Sequence, residues 1–462
     1  MVADLLSYSL IPLFAALAIP FFARKDQRFV IILANVTVLS GLITIGYLLF
    51  TMLLKPDIQP LSDPLSVFMI FTIYCVAICI SLFSSYYDIE KDTNPTTYYS
   101  LILLSLSAMS SMVIVRDIFT LYIFVEAVAV CSFALITSNT KSQSLEAAIK
   151  YFFLTFPASV LIILGISLVL ASQKSLDFEI ISISANTMTF IGLSFIIIGF
   201  LIKAGIVPFH FWTPDVYQGA YSPVSAYLAG IITKISGLYA IIKIISVMKF
   251  YTVEYISSLL IFTSLLTIIV GAFGAMVQRD MKRMLAYSSI SQMGYILLGA
   301  STFSAPGIIA SVFHLFNHAT FKTILFLNSA CIEKQVGTTD MRELKGLEKR
   351  MPITSWTSVI ASMSTAGIPP LSGFWSKILI IIAVWQTGHT SAAVIALIAS
   401  ILTLGYFVIM QRNVFFGKLP ERLAEIREAK PQLLIPEIFM SLIIIIAGIC
   451  VSYIYSYLEK IT

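Results

Sequence analysis

Six lysines stand where an apolar chain has little use for them. Lys150, Lys203, Lys234, Lys243, Lys322 and Lys377 fall within or at the edge of long hydrophobic runs, and no arginine shares that placement. A buried lysine can give up its proton at accessible pH, whereas an arginine in practice cannot. Glu126 is the one carboxylate expected deep inside such a run, and His314 and His318 add two imidazoles, which titrate near neutrality. An ionisable group at the centre of a bilayer costs at least about 2.5–3.5 kcal/mol, so groups of this kind mark ion or proton paths. His314, His318 and Lys322 recur every four residues and therefore share one face of a helix. The chemistry these types can perform together is proton relay.

Other polar residues read more plainly. Lys150 and Lys243 sit near the ends of their runs and are expected to snorkel toward headgroups. His210 is expected to be structural, His389 to lie in a loop, and Asp117 to be solvated at a helix end. Asp340 is expected to fix the basic loop 333–350. Cys75, Cys79, Cys131, Cys331 and Cys450 all lie in or beside apolar runs, with no CxxC, and read as small buried or lipid-facing residues. No iron–sulfur, haem or zinc pattern is present, so no cofactor or metal is expected on this chain.

The elements that must position these groups follow from composition. Of 462 residues, 58% are hydrophobic and 11% charged, against about 25% charged in a soluble domain. Mean hydropathy is +0.94. This excludes a soluble enzyme, a disordered chain and a nucleic-acid binder, leaving an all-α polytopic membrane protein. The apolar runs give about fourteen transmembrane helices, at roughly 5–22, 29–54, 65–86, 98–115, 118–138, 149–171, 187–207, 223–248, 255–277, 284–302, 306–331, 352–385, 390–411 and 433–457. The first lacks a basic leader and a cleavage site, so it reads as a retained span. With the N-terminus outside, eighteen Lys and Arg fall on inward loops and five on outward ends, which the positive-inside rule favours. Both termini are then extracytoplasmic. The inward loops 333–350 and 412–432 read as solvated faces or partner contacts.

Two spans carry prolines. The seventh runs into Lys203-Ala-Gly-Ile-Val-Pro208, and the twelfth into Gly367-Ile-Pro-Pro370-Leu-Ser-Gly373 ahead of Lys377. Proline removes a donor and frees carbonyls, which is tolerated at membrane depth only against protein or a hydrated cavity. Spans 4–8 and 9–13 then form two inverted five-helix repeats, each with its broken helix fourth, as in inverted-repeat transporters. The expected divisions are 1–97 (three N-terminal helices), 98–248 and 249–412 (the two repeats), and 413–462 (an inward loop and the last helix).

Seven stretches, in order over roughly residues 65–412, resemble the antiporter-like subunits shared by respiratory complex I, membrane-bound hydrogenase and sulfur reductase complexes, and Mrp cation/proton antiporters. They are Leu121-Tyr-Ile-Phe-Val-Glu126, Glu146-Ala-Ala-Ile-Lys150-Tyr-Phe, the run from Lys203 through Pro208 and Asp215 to Gly219, Thr233-Lys234, the run from Arg279 to Gly294, His314-Leu-Phe-Asn-His318-Ala-Thr-Phe-Lys322, and Gly367 to Lys377. The resemblance implies a central polar axis for proton transfer. It makes Glu126 the buried carboxylate, Lys203 its partner, Lys234 the central lysine and Lys377 the lysine of the twelfth span. His314, His318 and Lys322 match a cluster that some members have. The sequence ends at Thr462 without the long lateral helix of some members, so the distal subunit of complex I is not expected.

On this reading Glu126 and Lys203 form a switchable ion pair. At an illustrative separation of about 7 Å and an effective dielectric near 20, their attraction is about 2.4 kcal/mol. Parting them favours proton release from Lys203, which Lys234 could accept through ordered water, with His314, His318 and Lys322 relaying toward Lys377. The expected function is a proton- or cation-translocating subunit of a multisubunit membrane redox complex in the cell (inner) membrane. Redox cofactors belong to partner subunits, and other antiporter-like subunits are expected beside it. The alternative is a subunit of a redox-independent sodium/proton antiporter of the Mrp type.

Overall fold

The computed structural model describes residues 2–23, 27–54, 63–87, 94–139, 141–181, 187–247 and 254–461. Arg24, Lys25, Lys55, Lys91 and Lys249, which enter the charge count, lie outside these. Among the described residues the chain is helical, with no strand. The helices are α1 (Val2–Ala23), α2 (Gln27–Leu54), α3 (Pro64–Tyr86), α4 (Pro95–Ile114), α5 (Ile118–Ile136), α6 (Ser142–Gln173), α7 (Thr187–Ala204), α8 (Trp212–Gly219), α9 (Ser222–Tyr227) and α10 (Ala240–Val247). They continue as α11 (Glu254–Met276), α12 (Met281–Ala300), α13 (Ala305–Val336), α14 (Pro352–Ala366), α15 (Ser372–Gln386), α16 (Thr390–Val414), α17 (Pro431–Ile449) and α18 (Val451–Leu458).

Local sequence sets many of these ends. Asp63, Asn94, Asp117, Asp280 and Ser304 each accept a backbone N–H of the first turn that follows them. Asp117 is thus a helix cap as well as an end residue. Gly337 and Gly367 close α13 and α14 in the left-handed conformation.

Among the described residues, eleven helical stretches are long and apolar enough to cross a membrane, so the chain is a multi-pass membrane protein. Its distribution of polarity is inside out. Large apolar side chains such as Phe153, Phe262, Leu397 and Ile401 are exposed on α6, α11 and α16. The buried interior instead holds Ser288, Ser291 and Gln292 of α12 and His314, Asn317, His318 and Lys322 of α13. Lipid solvates the first set, and the second must find partners within the protein or water.

One geometric pattern occurs twice at a constant spacing. Asp117 caps α5 and bridges Asp177 beyond α6; Asp280 caps α12 and bridges Asp340 beyond α13. In the first bridge Ile118 N–H donates to Leu176 O (3.0 Å) and Phe178 N–H to Arg116 O (3.1 Å); in the second Met281 N–H donates to Thr339 O (2.9 Å) and Met341 N–H to Arg279 O (2.8 Å). The long helices they enclose, α6 and α13, have 32 residues each. Asp340 does fix its loop: its carboxylate accepts from the Arg342 side chain and from Arg342 N–H, and the guanidinium holds it at about 2.

The centre of the bundle is not a plain α-helix. Between α9 and α10 the backbone runs through two π-helical segments, Leu228–Ile232 and Lys234–Tyr239. Such segments are rare and concentrate at functional sites. Gly237 lets the second press onto the end of α7, where an added Cβ would lie 2.7 Å from Ala204 Cα. Backbone on both sides gives that contact nowhere to relax. Gly237→Ala is therefore expected to destabilise the subunit by about 1–3 kcal/mol, seen as a lower thermal unfolding midpoint of the purified assembly. Gly405→Ala, where nothing lies within 4 Å, should leave the midpoint unchanged or raise it slightly.

Candidate functional site

Lys203 occupies the last turn of α7, buried to 5% exposure. Its Nζ lies 3.1 Å from Glu126 Oε1, the two side chains being 4% and 30% exposed. The pair is thus in direct contact, much closer than the illustrative separation. Glu126 opens into a lateral cleft of about 270 Å3 walled by Phe133, Phe152, Phe156 and Thr155. Lys203 lines the same cleft, but of the two side chains only the carboxylate is appreciably exposed there.

Just beyond Lys203 the helix stops. Gly205 takes a φ of +68°, and Thr213 Oγ1 would lie 2.4 Å from a Cβ there. Trp212 Nε1 donates to Ile202 O (3.2 Å), and Val207 N–H donates to Thr267 Oγ1 (3.2 Å). Val207 N–H is thereby satisfied from outside the helix, and Ile202 O gains a second donor beside Gly205 N–H (3.0 Å). The interruption at Gly367 (φ +84°) is handled in the same way. Gly373 N–H donates to Ser364 Oγ (3.2 Å), and Asn317 Nδ2 donates to Ser372 O (3.1 Å) and Ser376 Oγ (2.9 Å). A Cβ on Gly367 would meet Lys377 Cδ at 3.2 Å, so the turn packs directly on that lysine.

Lys234 stands between these points, fully buried on the π-turn. Its Nζ donates to Tyr217 OH (3.1 Å) and Thr233 Oγ1 (2.9 Å) and lies 5.2 Å from the Tyr217 ring centroid. No described ion pair involves it. His318 has Lys234, Lys322 and His314 as its electrostatic neighbours, and neither ring nitrogen has a hydrogen-bond partner among the described residues. Lys322 Nζ donates to Leu285 O (3.1 Å) and to Ser288 Oγ. His314 Nδ1 meets Ser376 Oγ at 2.9 Å, one residue before Lys377. Lys377 Nζ sits 4.7 Å from the Tyr295 ring centroid, with no hydrogen-bond partner among the described residues. Buried polar atoms in this state are ordinarily satisfied by water. The structure therefore brings Glu126 to Lys203, and groups Lys234, His318, Lys322, His314 and Lys377 in one buried polar region.

Two lysines differ from expectation. Lys150 does not snorkel: Nζ lies 2.7 Å from Glu146 Oε1 and 2.7 Å from Asp215 Oδ2. Asp215 also receives Arg283 Nη1 at 2.5 Å, tying α6, α8 and α12 together. Lys243 is 7% exposed, and its ammonium donates to the carbonyls of Met112 (3.1 Å) and Val113 (2.5 Å) at the end of α4. Freed carbonyls at a helix end attract a cation more strongly than the distant headgroups do. His210 is buried against Phe211, with ring centroids 4.4 Å apart, as a packing residue would be.

Sequence reasoning missed a second buried carboxylate. Glu437, in the second turn of α17, is fully buried. It directly follows Pro436 near the start of the last apolar run, 433–457, where a carboxylate is ordinarily solvated. Its burial against α13 and α14 is a tertiary fact. Cys75, Cys79, Cys131 and Cys331 are buried, and Cys450 is partly so.

The fold defines an all-helical, multi-pass membrane protein with a polar interior. Residues 115–403 match the family described as NADH:quinone oxidoreductase/Mrp antiporter, transmembrane. NADH-quinone oxidoreductase subunit N of Pelagibacter ubique is 33% identical over 90% of this chain and 91% of its own. A Na(+)/H(+) antiporter subunit of Alkalihalophilus pseudofirmus is 27% identical over 91% and 90%. Among solved structures, a chain of the membrane-bound sulfane sulfur reductase, an archaeal respiratory membrane complex, superposes with a TM-score of 0.89 at 26% identity, covering 99% of this chain and 96% of that one. A chain of the Mrp complex from a Dietzia species gives 0.90 at 22% identity with the same coverage. The chain belongs to this family and is an antiporter-like membrane subunit.

Proposed function

We propose that this chain translocates protons, or another cation, within a multisubunit membrane redox complex, along the axis Glu126, Lys203, Lys234, His318, Lys322, His314 and Lys377. The observation that carries the reading is the buried set from Lys234 to Lys377, in which ammonium and imidazole groups lie together without a carboxylate among them. A path for protons needs groups that can be neutral or charged in turn. Permanent ion pairs would lock them. Water ordered between them completes the relay, and the redox cofactors that drive it reside in partner subunits.

The fourteen-span, inverted-repeat arrangement belongs to the same reading, with divisions at 1–97, 98–248, 249–412 and 413–462. Its support is the doubled Asp bridge. Asp117 and Asp280, Asp177 and Asp340, and the first and last residues of α6 and α13 are all separated by the same interval. An odd number of spans lies between the copies, so they face opposite sides. Lys203 and Lys377 then flank the corresponding breaks of spans 7 and 12. The Glu126 cleft, open laterally beside an apolar wall, fits a neighbouring membrane subunit, whose approach would alter the Glu126–Lys203 pair.

The inward placement of the basic loops puts both termini outside the cell membrane. Lys345→Cys is then expected to resist a membrane-impermeant maleimide applied outside sealed cells and to label in inverted vesicles. Ready labelling from outside would reverse the orientation. The second reading, a redox-independent antiporter subunit, is favoured by the similarity to the Na(+)/H(+) antiporter subunit of Alkalihalophilus pseudofirmus. Purifying the native assembly and identifying its subunits decides between them. Iron–sulfur or nickel–iron proteins in stoichiometric amount support the redox complex, and their absence with sodium/proton exchange in vesicles supports the other.

A further inference from the structure

Glu437 lies outside the axis, and its surroundings are unusual for a buried carboxylate. No described ion pair involves it. Its partners are a hydroxyl, an amide and a thiol. Thr357 Oγ1 is 3.2 Å from Oε2 and Cys331 Sγ 3.3 Å from Oε1. With the Asn328 amide oriented to suit its neighbours, Nδ2 donates to Oε2 (2.8 Å) and Oε1 (3.0 Å), and its oxygen accepts from Ser358 N–H (3.0 Å).

One partner can be reversed. The Asn328 amide keeps a single orientation, its oxygen fixed by Ser358 N–H, and its Nδ2 can donate equally to a carboxylate oxygen or to the carbonyl oxygen of a protonated Glu437. The Thr357 hydroxyl has one proton and several acceptors at 3.1–3.2 Å, the carbonyls of Ile353 and Thr354 among them. It can turn to the carboxylate or back to its own helix. With its proton turned back to the helix, Thr357 Oγ1 can accept from a protonated Glu437, so either protonation state can be housed by rotating one hydroxyl, with no rearrangement of backbone.

The site also has an outer and an inner end. Glu437, Thr357 and Asn328 all lie within about two turns of the helix ends that meet the 337–351 and 415–430 segments. At that surface Glu428 accepts from Ile353 N–H (2.8 Å) and Thr354 Oγ1 (2.8 Å), holding the start of α14 over Glu437. Inward, Gln411 Nε2 donates to Ser358 Oγ (2.8 Å) and Ser362 Oγ (2.9 Å), while its Oε1 is buried without a partner among the described residues. Gln411 lies one turn along α16 from Phe407, whose ring Lys322 Nζ faces at 5.7 Å. The charged groups bearing on the cluster are Glu428, and Lys334 on the far side of Cys331.

We infer that Glu437 is a proton-loading site, taking protons from the 337–351/415–430 face and passing them by way of Gln411 to Lys322, in the middle of the axis. This rests on the ion-translocation reading above. A hydronium ion at that face loses one O–H bond as a carboxylate oxygen of Glu437 gains one, leaving water. The carboxyl O–H bond then breaks as the proton passes along water held by Gln411 and Ser362, and an N–H bond forms on the unprotonated amine of Lys322, restoring the carboxylate.

The test is proton uptake by vesicles containing the whole reconstituted complex, with subunit content checked on gels. Glu437→Gln keeps the shape and much of the hydrogen bonding but cannot titrate; uptake should fall about tenfold with assembly intact. Glu437→Asp should recover part of the rate. Lys234→Ala, run alongside, separates the two claims. Full uptake in Glu437→Gln with Lys234→Ala inactive overturns the loading site alone, and full uptake in both overturns the axis as well. Should Glu437→Gln not assemble, Thr357→Val decides it. A several-fold loss of uptake supports the switching hydroxyl, and an unchanged rate overturns the proposal.

Discussion

Lys234→Ala is expected to abolish ion translocation by the assembled complex, a loss of at least about a hundredfold, while leaving the subunit in place. Lys234 is fully buried, its only described hydrogen-bond acceptors are hydroxyls, and no described carboxylate pairs with it. Removing the amine therefore strands no partner charge. Tyr217 OH and Thr233 Oγ1 remain bonded to each other at 2.7 Å, so the pocket keeps its own hydrogen bond. Lys234→Arg should fail as well, since guanidinium holds its proton at any working pH. Lys243→Ala is a structural comparison. It frees the carbonyls of Met112 and Val113 and should lower thermal stability while sparing transport. Proton uptake in reconstituted vesicles reads all three. Normal pumping by both Lys234 variants would remove the residue from the path, and loss of assembly in Lys234→Ala would make it structural.

Glu126→Gln should slow translocation by about ten- to a hundredfold. The substitution keeps size and hydrogen bonding but removes the charge facing Lys203 at 3.1 Å. Lys203 is then left as a buried amine with no counter-charge, which disfavours its protonated form and ends the alternation between paired and parted states. Because both residues act as one unit, Glu126→Gln combined with Lys203→Met should cost little more than either alone. Fully additive losses in the vesicle assay would show that they serve separate steps. Since the carboxylate is 30% exposed in a lateral cleft, subunit content must be followed in the same preparations.

Most of the fold could be read from the sequence, because membrane helices are specified locally. A long apolar run has one stable solution in lipid, and caps such as Asp63, Asn94 and Asp280 and the glycines at 337 and 367 mark ends within a few residues. The site was legible where a residue type conflicted with its surroundings, as with Lys203, Lys234, His318 and Lys377. It was illegible where burial depends on a neighbour distant in sequence. Glu437 lies near the start of its apolar run, and only the packing of α17 on α13 and α14 encloses it. Lys150 and Lys243 looked alike, yet one meets Asp215 and the other the carbonyl end of α4. The π-turn at Lys234 has no sequence signature beyond a glycine three residues on. The equal spacing of the Arg116-Asp117 and Arg279-Asp280 pairs from Asp177 and Asp340 was available in the sequence, and it supports the proposed internal repetition. It draws notice only when both pairs are seen to form the same bridge.

In the proposed function one hydrated polar path joins the lysines and histidines of the interior. A cryo-electron microscopy map of the assembled complex at a resolution that shows ordered water tests it most directly. Water is expected to bridge Lys234 to His318, and His314 to Lys377, with further water at Gln292 and at Oε1 of Gln411. A dry interior, with apolar side chains closing the space between Lys234 and Lys377, would contradict it.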